Sequence, residues 1–167
     1  NFSYTSTGWN YIGIFGYLSG EGQIKNLGVV DCDVNAGDGD YVGGLVGRNY
    51  NDGHVYICFS TGSVSGDKYV GGLVGRNLAL ISDCYSTAEV SGTQYVGGLV
   101  GYNNDLIMTC YSTVHVSGSL DTGGLIGRTY RGVTYNSYWD ILTSGQTDSD
   151  GGRGRTTGQL KSSLTYL

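Results

Sequence analysis

Cys84-Tyr-Ser-Thr-Ala-Glu-Val90 leads through Val90-Ser-Gly92 into Tyr95-Val-Gly-Gly-Leu-Val-Gly101, and this phrase returns along the chain every 26 residues. Cysteine stands at 32, 58, 84 and 110. Three residues before each lies a β-branched apolar residue: Val29, Val55, Ile81 and Ile107, then Val133 ahead of Asn136, where a fifth cysteine would fall. The glycine-rich phrase occupies 41–47, 69–75 and 95–101 and fades to Asp121-Thr-Gly-Gly-Leu-Ile-Gly127, at spacings of 28, 26 and 26. A fixed period of this length makes a repeat architecture the first reading. The first repeat is two residues shorter before the phrase and two longer after it, so the cysteines are expected to keep one register.

The units read as strands broken by glycine. In Cys58-Phe-Ser-Thr-Gly-Ser-Val64, Cys84–Val90 and Cys110-Tyr-Ser-Thr-Val-His-Val116, one face carries Cys, Ser, Gly/Ala/Val and Val, and the other Phe/Tyr, Thr and Ser/Glu/His. The period is 2, and the small, mostly apolar set is assigned to the interior. Val-Ser-Gly at 64–66, 90–92 and 116–118 closes each strand with a turn signal. Helical repeats are excluded by this period and the glycine load, and a propeller blade needs roughly 40 residues. A parallel β-solenoid with two or three short strands per coil fits. Stacking about five coils at roughly 4.8 Å gives a rod about 25 Å long.

Composition agrees. The chain has 167 residues, 31 glycines, no proline and 39% hydrophobic residues, with no glycine period of three. Its 15 tyrosines speak against disorder, which is poor in aromatics. A net charge of −5 with 9 basic residues disfavours a nucleic-acid partner. No run of 18 apolar residues suggests membrane insertion. The start at Asn1 without a signal peptide suggests a mature protein or an excised fragment.

Gly44-Leu-Val-Gly47, Gly72-Leu-Val-Gly75, Gly98-Leu-Val-Gly101 and Gly124-Leu-Ile-Gly127 resemble the GLUG motif of bacterial and archaeal surface and secreted repeat proteins. The tail Ser137-Tyr-Trp-Asp140, Thr143-Ser-Gly-Gln146 and Thr156-Thr157 is similar to the segment that commonly follows the last such repeat. The resemblance spans about 11–160 and implies an extracellular or cell-surface setting with no shared catalytic residue. The organisation expected is a degenerate first coil or N-terminal cap over 1–31, four 26-residue GLUG-type repeats over 32–135, and a capping segment over 136–167. Within the last, Trp139 near Tyr138 is expected to cover the open coil, and 157–161 to form a short capped helical turn.

The candidate sites divide into ladders and faces. Cys32, Cys58, Cys84 and Cys110 lack the close pairs of a zinc site and a histidine column to activate a thiol. Stacked in register, their Cβ atoms lie farther apart than a disulfide prefers. They read as a ladder of small buried groups, with disulfides between adjacent rungs as the main alternative. Asn49, Asn77 and Asn103 read as an amide ladder. Arg48, Arg76 and Arg128 stack like charges, so an anionic glycan or neighbouring carboxylates are expected there. The outward Phe59, Tyr85 and Tyr111 with Thr61, Thr87 and Thr113 form a candidate ligand face for glycan or, second, ice. Asp31-Cys-Asp33-Val-Asn35-Ala-Gly37 and Asp148-Ser-Asp150-Gly151 are fragments of a calcium loop without its full ligand set, and read as acidic turns. No nucleophile–base pair or nucleotide loop appears, and no cofactor is expected.

These observations predict a non-catalytic extracellular module, a rigid spacer or adhesive surface. The alternatives are a subunit of a self-assembling filament or a glycan- or ice-binding face. The partners expected are copies of the chain itself, surface glycans or surface proteins.

Overall fold

A computed structural model describes residues 2–164, with the side chains of 163 and 164 excepted. Among the described residues twenty-two short strands pair only in parallel and form four sheets, so each coil has four sides, more than the two or three expected. The first side contains Ser3–Thr5, Gly28–Asn35, Phe59–Ser65, Tyr85–Ser91, Tyr111–Ser112 with Val116–Ser117, Tyr138–Asp140 and Arg153–Arg155. The second contains Val42–Gly43, Lys68–Gly71, Gln94–Gly97 and Leu120–Gly123. The third runs Phe15–Leu18, Val46–Tyr50, Val74–Leu78, Val100–Asn103 and Ile126–Thr129. The fourth runs Gln23–Lys25, His54–Tyr56, Ile81–Ser82, Leu106–Met108 and Val133–Tyr135. The architecture is a β-solenoid of about five coils, and the 26-residue step holds between Phe59, Tyr85 and Tyr111.

The alternation read from the sequence sets the interior. Cys84, Ser86, Ala88 and Val90 are buried, and Thr87 and Glu89 between them are exposed. Columns of identical or similar residues then fill the coil: Val42, Val70 and Val96; Leu45, Leu73, Leu99 and Leu125; Val46, Val74, Val100 and Ile126; Val55, Ile81 and Ile107. All of these are fully buried. β-Branched residues suit this pleated, enclosed surface, and burying each is favourable by about 1.5–3 kcal/mol.

Register corrects the cysteine column. Cys32 pairs with Gly62, not Cys58, because Gly28 pairs with Phe59 and a bulge follows Val29. The bulge inserts one residue, with Asp31 at φ 51° and its N–H donating to Thr61 Oγ1 at 2.8 Å. The first turn, around 36–41, is also two residues longer than its counterpart: Val34 to Val42 spans eight positions, Val64 to Val70 six. Equal spacing between Cys32 and Cys58 is therefore a numerical coincidence: Leu27 holds the place of Cys58 one rung down, and this coil takes 31 residues, from 27 to 58, not 26. Gly62 accommodates the misfit at φ 111°, where an added Cβ would sit 2.1 Å from Cys32 O. Likewise Val29 stacks under Ser60, and Thr134, not Val133, continues the Ile107 column. At the far end Tyr138 pairs with Tyr111, so Ser137, not Asn136, follows Cys110.

The C-terminal end is closed by its own chain. Trp139 is buried, and its indole fills the space over Gly124 and under Gly154. Asp140 caps a short helix (α1, Ile141–Ser144) by accepting from Leu142 N–H at 2.9 Å and Thr143 N–H at 3.4 Å, and also accepts from Thr157 Oγ1 at 2.6 Å. A second helix (α2, Thr157–Leu164) starts with a capping box between Thr156 and Gln159. Residues 148–151 cross the edge of the third side. Ser149 Oγ accepts from Ile126 N–H at 2.9 Å, Asp150 Oδ2 from Thr129 N–H at 2.8 Å, and Gln146 Nε2 donates to Val116 O at 2.8 Å. Edge groups that would invite strand pairing are thereby satisfied.

Candidate functional site

Each coil turns from its fourth to its first side through one left-handed residue: Asn26, Ile57, Asp83, Thr109 and Asn136 have φ between 44° and 55°. The corner aims the next side chain inward, which places Cys58, Cys84, Cys110 and Ser137 in one buried column. Each group donates to the carbonyl two residues earlier: Cys58 Sγ to Tyr56 O at 3.2 Å, Cys84 Sγ to Ser82 O at 3.0 Å, Cys110 Sγ to Met108 O at 3.2 Å and Ser137 Oγ to Tyr135 O at 2.7 Å. Two of them also accept from the rung below, Cys84 Sγ from Cys58 N–H at 3.4 Å and Ser137 Oγ from Cys110 N–H at 3.0 Å. The column therefore asks for a small donor–acceptor, not only for small apolar volume. All four cysteines are free thiols. Hydrogen bonding to the neighbouring thiol, then burial, pushes the Cys58 and Cys84 thiols well above their ordinary range, and burial raises Cys32. Nothing in this setting activates sulfur.

The amide ladder is continuous. Asn49 Nδ2 donates to Asn77 Oδ1 and Asn77 Nδ2 to Asn103 Oδ1, both at 2.9 Å, and Asn103 Nδ2 ends the chain on Asp105 O at 2.8 Å. All three side chains are fully buried, so each bond spares an amide from desolvation without a partner.

A tyrosine ladder occupies the corner before the second side, and it was visible in the sequence only as the first letter of the glycine-rich phrase. Tyr11, Tyr41, Tyr69 and Tyr95 all have φ between 56° and 62°, a region tyrosine enters rarely. Their rings stack at 4.9, 4.6 and 4.9 Å along the rod axis. The arginine column leans on this stack. The Arg48 guanidinium lies 4.7 Å from the Tyr50 ring and 5.6 Å from that of Tyr17, and Arg76 lies 5.6 Å from Tyr69 and 5.3 Å from Tyr102. Tyr102 meets Tyr69 and Tyr95 edge-on at 5.6 and 5.2 Å. Arg128 pairs with Asp121 at 3.3 Å and Asp150 at 3.6 Å. Rings interleave the like charges that the sequence alone set against one another.

Phe59, Tyr85 and Tyr111 form a second stack, with centroids 4.9 Å apart in both steps and planes within 6° of parallel. The Phe59 ring also lies against Gly28, where an added Cβ would be 2.2 Å from Cζ. The ring faces between rungs are thus taken by neighbouring rings, leaving mainly edges toward solvent. Thr61, Thr87 and Thr113 run beside this stack on the same outward face. A shallow groove of about 360 Å³ opens between Ile57, Phe59 and Tyr85 at the left-handed corner. Of the acidic fragments, Asp33 accepts from Ser63 Oγ at 3.3 Å, and Asp150 is engaged with Thr129 and Arg128. Among the described residues no group of three or more His, Cys, Asp or Glu could hold a metal ion.

The GLUG motif model matches three consecutive segments, 38–65, 66–91 and 92–117, each one coil of this ladder system. Residues 38–117 are GLUG repeats. No curated protein matches it in sequence. Among solved structures, a Bacteroides ovatus protein named "putative immunoglobulin A1 protease" is similar in fold, with a TM-score of 0.69 and 17% identity over 99% of this chain and 72% of that one.

The geometry explains the GLUG motif itself. The side opposite the serine column approaches it so closely that a Cβ on Gly72 would lie 2.1 Å from Ser86 Oγ, and one on Gly98 2.2 Å from Ser112 Oγ. At Gly124 the same space holds Trp139. The closing glycine meets backbone instead: a Cβ on Gly75 would be 2.6 Å from Val42 N. Leu and Val between the glycines supply the apolar fill. In a GLUG coil, then, the motif is where two sides of the rod touch.

Proposed function

We propose that this protein is a non-catalytic structural module, a rigid spacer within a secreted or cell-surface protein. The observation that carries this reading is the investment of the chemistry-bearing columns in rung-to-rung contact. Thiols, amides, tyrosines and arginines that recur every coil bond to the next coil, leaving few recurring polar groups for a substrate. A rod so cross-connected resists bending and local opening. The name of the Bacteroides ovatus protein speaks of an enzyme, yet the likeness lies in the fold, which by itself carries no activity. A sugar face on Phe59, Tyr85 and Tyr111 is the weaker reading, because stacked rings present edges where sugar stacking needs faces.

Pulling the chain by its ends in a force spectrometer tests the spacer. Coil-by-coil extension in steps of about 90 Å, from 26 residues at ~3.4 Å each, is expected. Release of the whole rod in one low-force step would overturn it. Cleavage of immunoglobulin A1 by the purified chain would overturn the non-catalytic part.

A further inference from the structure

The rings beside Arg48 and Arg76 cover these guanidiniums in part, yet leave their N–H groups without an acceptor. The two arginines pair across adjacent parallel strands, about 4.8 Å apart along the rod. Both lie near the Tyr41 ring, at 6.0 and 5.9 Å from its centre. Both are partly buried, and the Nε of each is shut off from solvent with no hydrogen-bond partner. Neither makes an ion pair or donates a hydrogen bond to any described residue. A guanidinium carries five N–H donors, and its charge is costly to withdraw from water unpaired. Like charges on neighbouring rungs also repel. The column is bounded on both sides: Tyr17 stands one rung below Arg48 and Tyr102 one rung above Arg76. Arg128, a rung further, is already neutralised by Asp121 and Asp150.

We propose that Arg48 and Arg76 form a binding site for an acidic sugar, a glycan residue carrying a carboxylate or a sulfate. The oxygens of one such group suit two neighbouring guanidinium forks, and hydrogen bonds between arginine and an oxyanion are strong and geometrically specific. The bounded column fits a single acidic group. A polyanion following the rod would meet Asp121 and Asp150 around Arg128, on a chain of net charge −5. The rings beside the arginines fit a sugar better than an acidic peptide. Tyr50, which is 37% exposed, lies against Arg48, and Tyr102, set edge-on to Tyr69 and Tyr95, lies against Arg76. Such rings, with an apolar body and a polar tip, match the C–H and hydroxyl groups of a pyranose. In the Phe59, Tyr85 and Tyr111 stack, by contrast, neighbouring rings take the faces. This site goes beyond the spacer role, and neither depends on the other.

Titration calorimetry of the purified chain at low ionic strength tests this, with sodium glucuronate, glucose 6-sulfate, glucose and acetate as probes. At least one acidic sugar should bind tenfold or more tightly than glucose, with an affinity that falls as salt is added. The tighter of the two tells carboxylate from sulfate, and acetate should bind more weakly than either. Arg48→Gln and Arg76→Gln should each weaken binding tenfold or more while far-ultraviolet circular dichroism stays unchanged. Arg128→Gln, at an arginine already paired, should leave binding intact. Should a variant misfold, nuclear magnetic resonance on the unaltered chain replaces it: the Nε–H signals of Arg48 and Arg76 should shift on adding the sugar, and that of Arg128 should not. No binding of either acidic sugar overturns the proposal, as does binding that Arg48→Gln and Arg76→Gln leave unchanged. Acetate binding as tightly as the acidic sugars, an adventitious ion only, also overturns it. Tighter binding of a hexaglutamate peptide than of either sugar overturns it and gives the site to acidic polypeptide.

Discussion

Single residues in this rod are constrained by what lies one rung away. Gly72→Ala would drive a Cβ to 2.1 Å from Ser86 Oγ and 2.3 Å from Gly98 O, and only the hydroxyl can move aside. We expect a loss of about 3 kcal/mol in urea denaturation, at the upper end for overpacking. The left-handed corners give the opposite case. Asn26, Asp83 and Asn136 hold φ near 50° easily, but Ile57 does so with a β-branched side chain that is mostly exposed. Ile57→Asn should therefore raise stability by about 1 kcal/mol, with a higher melting temperature as the readout. In the thiol column, Ser137 shows that a hydroxyl serves as well as sulfur. Cys84→Ser should be nearly neutral, while Cys84→Ala, which strips Cys58 N–H of its acceptor, should cost about 1–3 kcal/mol. The raised thiols also fix a pH dependence. Their folded pKa exceeds the unfolded one near 9, so their contribution is complete below pH 9 and is lost as the pH climbs toward the folded value. Alkaline unfolding titrations should show this decline, reduced in a variant with serine at 58 and 84.

At the scale of elements, the ladders act as units and should fail as units. Asn77→Leu removes both amide bonds of the central rung, takes the acceptor from Ala79 N–H, and leaves Asn49 Nδ2 only Leu80 O at 3.4 Å and Asn103 Oδ1 only Asp105 N–H at 3.3 Å. A loss of about 3 kcal/mol is expected, more than the sum of two ordinary hydrogen bonds, because the partners left behind stay buried. These columns show how far sequence reading reaches. The Phe/Tyr column could be placed because it recurs every 26 residues, and the Asn column because it follows the glycine-rich phrase at a fixed offset. The tyrosine corner went unread in the same coils, since its role rests on a backbone angle that no period reveals. Arg48 and Arg76 looked like a charged stripe for the same reason: the rings that flank them come from different sides of the coil.

For the whole molecule, the closed end sets behaviour in solution. Removing residues 137–167 would uncover Leu125 and Ile126 together with the edge of Ile126–Thr129. That truncated rod should self-associate, seen as rising light scattering, where the intact chain scatters less.

The residues by themselves determined the solenoid, its step and its inward and outward faces, because parallel stacking copies a local period of two and a coil period of 26 directly into the letters. Only the tertiary structure decided which cysteine belongs to the column. Cys32 keeps the numerical spacing but loses the place, since a bulge and a longer turn change how much chain one coil consumes. The closing of the C-terminal end was likewise decided in three dimensions, where Trp139 comes to lie over Gly124 and Leu125 and Ile126 stay fully buried.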